Sequence, residues 1–234
     1  MPQITEDMLR HQLADCHRMM VMAELLDYSG HVSARVPGSS RVLILPRDAS
    51  RAAVTAEEMC VVDLDSGKVL EGKGPVPTET AIHLGVYRTR DDVSAIGHGH
   101  PPNSTLFTMV ERPMFAMRNF GFRFIGMPVH PDPTHIKTRE QGAEVAATLG
   151  KGKYCLLRGH GSVVAVNSVP EVFLDSLEME ENAKSAIAGC ALGGLKPITP
   201  QEVELLKPSF AFNTYRVGKT WDHYREKAKK AGYL

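Results

Sequence analysis

Ten histidines are spread through the 234 residues, and three stand where chemistry can be done. His98-Gly99-His100 closes a run of strand-forming residues from Val93 to Gly99. Alternation along a strand sends residues i and i+2 to one face, so both imidazoles can point at one ion. Alone, H-x-H is a weak signal that far more often packs a core than binds a metal. His160 lies between two glycines after another strand-like run, Cys155-Leu-Leu-Arg158. Three imidazoles with a fourth position open to water or substrate form the ligand set of a catalytic divalent centre. Spacing does not show that His160 reaches the other two; the alternative is a histidine packed in a glycine-rich turn.

Glu79 follows Pro77-Thr78 at the start of a helix predicted over Glu79 to Thr89, with Thr78 as its cap. It reads either as an N-terminal acid favoured by the helix dipole or as a general acid/base. His83 is one turn on, on the same face, and reads as a helix-side hydrogen-bond partner of Glu79. In Gly30-His31-Val32-Ser33-Ala34-Arg35 the glycine offers an unusual backbone angle and open N–H groups to an anion. His31, Ser33 and Arg35 alternate on one strand face; the alternative is a plain helix-to-strand junction. His130 and His135 flank Pro131-Asp-Pro133 in a predicted loop, where approach to the site and surface placement are both open. His11 and His17 fall on the first helix, outside the chemistry.

The elements that must hold these residues can be read coarsely. Apolar residues at helical spacing run from Glu6 to Tyr28 and stop at Ser29-Gly30. Short strands follow at Val32 to Val36, Val42 to Leu45 and Met59 to Leu64, with a return strand near Val69 after the turn at Asp65-Ser-Gly67. Thr55-Ala-Glu-Glu58 has the form of a capping box and predicts one helical turn. Pro101-Pro102 opens a helix, Phe122 to Val129 reads as a strand, and Arg139 to Leu149 as a helix ending at Gly150. Tyr154 to Leu157 and Val163 to Val166 pair around His160. Pro170 to Ala191 is helical, as is the basic, surface-exposed stretch Val217 to Ala231. Strands in mixed order with helices on both sides predict an α/β fold: a three-layer α/β/α sandwich with a mixed central sheet. The absence of repeats and low-complexity stretches predicts one domain over residues 1–234.

Lys+Arg and Asp+Glu both number 27, so the formal charge is zero, without the basic excess of a protein built to grip nucleic acid. No apolar run reaches the ~18 residues of a spanning helix, and the acidic start Met1-Pro-Gln-Ile-Thr-Glu-Asp lacks a signal-peptide core. Cys16, Cys60, Cys155 and Cys190 show no CxxC spacing and read as reduced, buried thiols. A cytoplasmic protein with no nucleic-acid or membrane partner is the expectation.

The set of motifs resembles the class II aldolase/adducin family from about residue 8 to residue 230. The matching pieces come in the family's order: Gly30 to Arg35; Thr55 to Glu58 with Val61 to Asp65; Pro77-Thr-Glu-Thr80 with His83; Ala95 to His100; and Leu156 to Gly161. The resemblance implies a homotetramer with sites near subunit contacts. It also implies one divalent metal per subunit on His98, His100 and His160, zinc foremost, with manganese, cobalt or iron as alternatives. Glu79 is then the acid/base or an occasional metal ligand. The adducin branch, which lacks the metal histidines, makes a non-enzymatic interaction protein the lesser alternative.

Two departures bear on the substrate. Gly30-His31 stands where the sugar-phosphate aldolases and epimerases have Gly-Asn, and Leu45-Pro-Arg47-Asp-Ala-Ser-Arg51 replaces their Ser-Gly phosphate loop. Guanidinium groups favour a planar, bidentate carboxylate. The chain resembles most the branch that decarboxylates aromatic hydroxy acids or hydroxymuconic semialdehyde products, in aromatic compound degradation. The expectation is a decarboxylase of a small dihydroxyphthalate-like carboxylate or a related ring-cleavage acid, with aldolase or epimerase as the alternative. Arg47 or Arg51, with Ser33 and Arg35, would hold the substrate. His31 is favoured slightly as proton donor, with Glu79 orienting water or substrate. The terminal Trp221, His223 and Tyr224 resemble a segment that in relatives supplies residues to an active site.

Overall fold

The computed structural model describes residues 4–210 and 213–234, so the first three residues of the acidic start lie outside the described residues. At its centre is one sheet of eight strands: β1 His31–Arg35, β2 Arg41–Ile44, β3 Cys60–Asp63, β4 Val69–Glu71, β5 Ala95–Gly99, β6 Val129–His130, β7 Tyr154–Leu157 and β8 Gly161–Val166. Their order is β4-β3-β2-β1-β5-β8-β7-β6. All neighbours are antiparallel except β6 and β7, so the sheet is mixed. The central strands β5, β7 and β8 are buried along their whole length. That is why they read as continuous apolar runs: both faces are covered.

On one face lie α1 Glu6–Met22, α5 Val169–Leu192 and α7 Asn213–Lys230, in mutual contact, with α1 and α5 against β1. On the other lie α2 Thr80–Thr89 and α4 Arg139–Leu149, which pack closely on each other. The result is the α/β/α sandwich. Local signals start these helices where the sequence places them. Thr5 Oγ accepts from Met8 N at 3.2 Å, and Thr138 and Gln141 form a reciprocal capping box on α4. No helix among the described residues is long and apolar enough to cross a membrane.

His17 ties the first two elements together. Its Nδ1 donates to Leu13 O at 2.7 Å, and its Nε2 accepts from Val32 N at 3.0 Å. Both nitrogens are thus used by one neutral tautomer, and burial pushes its pKa down to about 4. This histidine anchors β1 to α1.

Several expectations need correction. The first helix ends at Met22, six residues before Tyr28: Glu24 adopts φ 58°, and Leu25 and Leu26 enter the core from the turn that follows. Phe122 to Val129 is not a strand; Gly121–Phe124 is a 3-10 turn, and only Val129–His130 pairs, at the sheet edge. Thr55 to Glu58 forms no helical turn, although the Glu58 carboxylate does accept from Thr55 N at 2.8 Å. The Pro101-Pro102 signal opens only the short α3 Pro102–Leu106, and a separate helix, α6 Pro200–Phe210, adds to those read from the sequence. Cys190 is exposed, unlike the other three thiols. Trp221 and Tyr224 are used inside this chain, packing on Phe173 at ring distances of 6.3 and 5.0 Å.

The α2–α4 contact is close because two glycines meet there. A Cβ on Gly142 would lie 2.1 Å from Ala81 O, and one on Gly85 would lie 2.3 Å from Gly142 O. Neither backbone can yield without separating the helices. Gly142→Ala is therefore expected to destabilise the protein by ~3 kcal/mol, at the upper end of overpacking costs. Gly218→Ala, on exposed α7 with nothing within 4 Å, should instead stabilise by ~0.5–1 kcal/mol. Denaturant melts of the two variants check this; equal stability of Gly142→Ala and wild type would show that the helices do not pack as described.

Candidate metal centre

Three antiparallel strands set the positions of the histidines. β1 pairs with β5 so that His31 stands opposite His98, and β5 pairs with β8 so that Gly99 stands opposite Ser162. β7 and β8 meet at Leu157 and Gly161, leaving Arg158-Gly159-His160 as the connecting turn. His160 is thereby carried to the end of β5. The rings of His98, His100 and His160 form a nearly equilateral triangle, with centroid distances of 5.1, 5.0 and 5.2 Å. Gly99 between the first two is needed, since a Cβ there would lie 2.9 Å from Leu25 O.

Glu79 comes from the other layer. It occupies the N-cap position of α2, so Thr78 is not the cap, and its carboxylate makes no capping hydrogen bond. That leaves the side chain for the cluster: Oε2 lies 3.5 Å from His98 Nε2, and Oε1 lies 3.3 Å from His160 Nε2. One oxygen of Glu79 and one nitrogen from each of His98, His100 and His160 all fall within 4.8 Å of one another. The carboxylate does not bond His83, as the i+4 spacing suggests; His83 turns to β1 instead.

These residues fit a divalent cation. Nε2 of His98, of His100 and of His160 is buried in each case without a hydrogen-bond partner. Leaving buried nitrogens unpaired costs free energy, and a cation at their meeting point would satisfy all three. The second nitrogens of His98 and His100 favour this, while His160 Nδ1 is itself buried without a partner. His98 Nδ1 lies 3.0 Å from Ser162 O, which can only accept, so in the neutral ring Nδ1 carries the proton and Nε2 the lone pair. His100 Nδ1 lies 3.1 Å from Ser29 Oγ, whose own proton goes to Asp27 Oδ1 at 3.3 Å, and the same tautomer follows. Burial lowers the pKa of His100, and that of His160 to about 4, so both rings are neutral at pH 7. Burial raises the Glu79 carboxyl, but the proton-bearing forms of His98 and His160 beside it and the Ile136 N–H outweigh this and hold it down at about 2; a cation at the same place would keep it ionised in the same way. A carboxylate and neutral imidazoles are the protonation states that metal ligation needs.

The cluster forms one wall of a cleft of about 380 Å³. Tyr28, His31, Arg47, Arg51 and His135 complete it. Arg51 is buried; its Nε donates to Gly30 O at 3.1 Å and its Nη1 to Arg47 O and Ala49 O, both at 2.7 Å. All three partners are uncharged carbonyls. Arg47 is more exposed and pairs with Asp48. His135 is largely exposed, with Nδ1 3.6 Å from Glu79 Oε1; the sequence alone does not separate it from His130, which is buried and meets Thr148. Tyr28 and Ser29 have no motif to flag them.

Two of the expected substrate-binding residues are not on the cleft. Ser33 is fully buried between His83 and Tyr87. Arg35 donates to the carbonyls of Tyr87 and Arg90 and pairs with Asp91, while its guanidinium covers the Tyr87 ring at 5.0 Å. His31, Ser33 and Arg35 do share a face, but that face is covered by α2, and only His31 lies far enough along the strand to reach the opening. Burial, reinforced by the neighbouring His83, holds the pKa of His31 well below its ordinary value, so it rests neutral rather than as a ready cationic donor.

The model of the Class II Aldolase and Adducin N-terminal domain matches residues 11–187. The chain is 30% identical over 209 residues to the 3,4-dihydroxyphthalate decarboxylase of Arthrobacter keyseri, covering 83% of each protein. It is 27% identical over 210 residues to the L-fuculose phosphate aldolase of Escherichia coli O6:H1, covering 88% of this chain and 95% of the other. Among solved structures, the aldolase II superfamily protein from Pseudomonas syringae shares the fold with a TM-score of 0.85 at 21% identity, over 99% of this chain and 96% of that one. The matched residues contain every member of the histidine–glutamate cluster, and on this footing the chain belongs to the class II aldolase and adducin family.

Proposed function

We propose that this protein is a metal-dependent lyase that decarboxylates a small aromatic hydroxy-carboxylate of the dihydroxyphthalate type. The observation that carries the reading is the cleft itself, with Arg51 and Arg47 lining it together with the cation-ready cluster. Arg51 spends Nε and Nη1 on three neutral carbonyls, which leaves Nη2, together with the exposed Arg47 guanidinium, to hydrogen-bond a carboxylate ligand. A volume of about 380 Å³ is at the small end of ligand clefts, in keeping with a single-ring substrate. Similarity to the Arthrobacter decarboxylase supports the same choice.

A divalent cation on His98, His100 and His160 would supply a Lewis acid for the charge left on the substrate when CO2 departs. The chain's own groups do the rest. Arg47 and Arg51 hold the carboxylate that is retained. His31, resting neutral, accepts the substrate hydroxyl proton at one ring nitrogen and returns it to the carbon that loses CO2. Acid and base are then one group, and no cationic His31 is required at rest. Glu79, held as a carboxylate, orients the reacting end. The protein acts as a homotetramer in the cytoplasm.

Protein loaded with zinc or manganese and given 3,4-dihydroxyphthalate should release CO2, and chelator treatment should abolish turnover while leaving the fold intact. Cleavage of a phosphorylated ketose with no CO2 from the aromatic acid would replace this reading by a sugar-phosphate aldolase. Arg47→Ala, at an exposed position, should raise KM for the dicarboxylate about tenfold, equivalent to ~1.4 kcal/mol, with kcat nearly unchanged. It should leave KM for a hydroxy-acid with one carboxylate unaltered; equal losses on both substrates would remove Arg47 from carboxylate recognition.

A further inference from the structure

Behind His31 runs a buried file of polar groups that the proposed reaction does not touch. His31 Nδ1 lies 2.7 Å from His83 Nε2, His83 Nδ1 lies 2.6 Å from Ser33 Oγ, and Ser33 Oγ lies 3.0 Å from Tyr87 Oη. His83, Ser33 and Tyr87 are fully buried. Two periodicities build the file: His83 and Tyr87 are one turn apart on α2, and His31 and Ser33 are two residues apart on β1.

The direction of each hydrogen bond can be counted from the far end. Tyr87 Oη has one proton and lies 3.2 Å from Ser33 O and 3.5 Å from Ser94 O, backbone oxygens that can only accept. With that proton on a carbonyl, the 3.0 Å contact to Ser33 Oγ needs the serine proton. Ser33 Oγ then accepts from His83 Nδ1. His83, neutral with a pKa pushed down to about 3 by burial, is left with a lone pair on Nε2, which accepts from His31 Nδ1. His31 then has its own lone pair at Nε2.

We propose that His83, backed by Ser33 and Tyr87, is a positioning residue that holds His31 in the Nδ1–H tautomer, keeping Nε2 as the acceptor that serves the cleft. This rests on the acid/base role given to His31 above, although the tautomer itself can be read without turnover. The opposite polarity would need Tyr87 to abandon both carbonyls for Ser33 Oγ, and His31 would then present N–H where an acceptor is required.

The test is long-range 15N–1H correlation of the histidine rings in the metal-free protein at neutral pH. Wild type should show a pyrrole-like Nδ1 and a pyridine-like Nε2 for His31. Tyr87→Phe, which removes one hydroxyl from a ring that stays buried, should shift His31 toward averaged nitrogens, because Ser33 can then turn either way. His83→Gln should do the same and lower kcat about ten- to a hundredfold, as loss of an outer partner does at metal sites, with a smaller change in KM. A wild-type His31 protonated at Nε2, or spectra unchanged in a folded Tyr87→Phe variant, would overturn the inference. If the tautomer is as described but no CO2 is released from any hydroxy-acid, the proposed reaction fails and the positioning role stands. If CO2 is released but the His31 spectra are unchanged in the variants, the reaction stands and the positioning role fails.

Discussion

The site depends on strand register. β1, β5 and β8 are joined by antiparallel ladders that put His31 opposite His98 and bring the β7–β8 turn to the end of β5. Side chains alternate with a period of two, so a slip of one residue between β1 and β5 would send His31 to the wrong layer. Two contacts outside the ladder hold that register. His17 accepts from Val32 N, and a Cβ on Gly97 would lie 2.5 Å from Val172 Cγ1, so β5 sits directly against α5. The chemistry is thus placed by sheet hydrogen bonds, which locate atoms better than loops do.

The second constraint is electrostatic. Seven of the chain's ten histidines are buried or nearly so, and five of them, His31, His83, His98, His100 and His160, crowd around one carboxylate. So many imidazoles cannot be charged together without water. Burial lowers the pKa of His31, His83, His100 and His160, and the unpaired nitrogens of the cluster then call for a cation from outside the chain. At the rim the sign is reversed: Arg47 and Arg51 face the cleft and carry the only permanent positive charge among its lining residues. A neutral overall charge conceals this local field.

How far the sequence can be read follows from which physical signals are local. Strand alternation makes His98 and His100 legible as a pair, while His160 joins them only through the family resemblance, because the β7–β8 turn that carries it to the end of β5 is set by long-range pairing. Glu79 is legible as a helix-start acid, and the fold places it there while using the carboxylate elsewhere. Ser33 and Arg35 are misplaced for a definite reason. Alternation shows which residues share a face, but β1 is buried on both faces, so the pattern does not tell α2 from the cleft. The early end of α1 has a similar cause: Leu25 and Leu26 continue the apolar rhythm while Glu24 has already turned the backbone. His135 cannot be told from His130, since only the path of the loop carries one over Glu79 and tucks the other under Thr148.

Helix α2 links the two halves of the site. Its first residue follows Glu79, its second turn carries His83, and its third carries Tyr87, so one rigid rod fixes both the carboxylate beside the histidine cluster and the polar file behind His31. The rod is in turn fixed by the glycine contact with α4, where neither backbone can move closer. Displacing α2 would therefore shift a candidate metal ligand and loosen the His31 tautomer at once. The helix is buried from Thr80 to Tyr87 with only Ala81 partly open, and Ile82, Leu84 and Val86 join the hydrophobic core. His83 and Tyr87 are bonded across to β1, and those bonds, together with the apolar burial, set the helix's rotation about its axis.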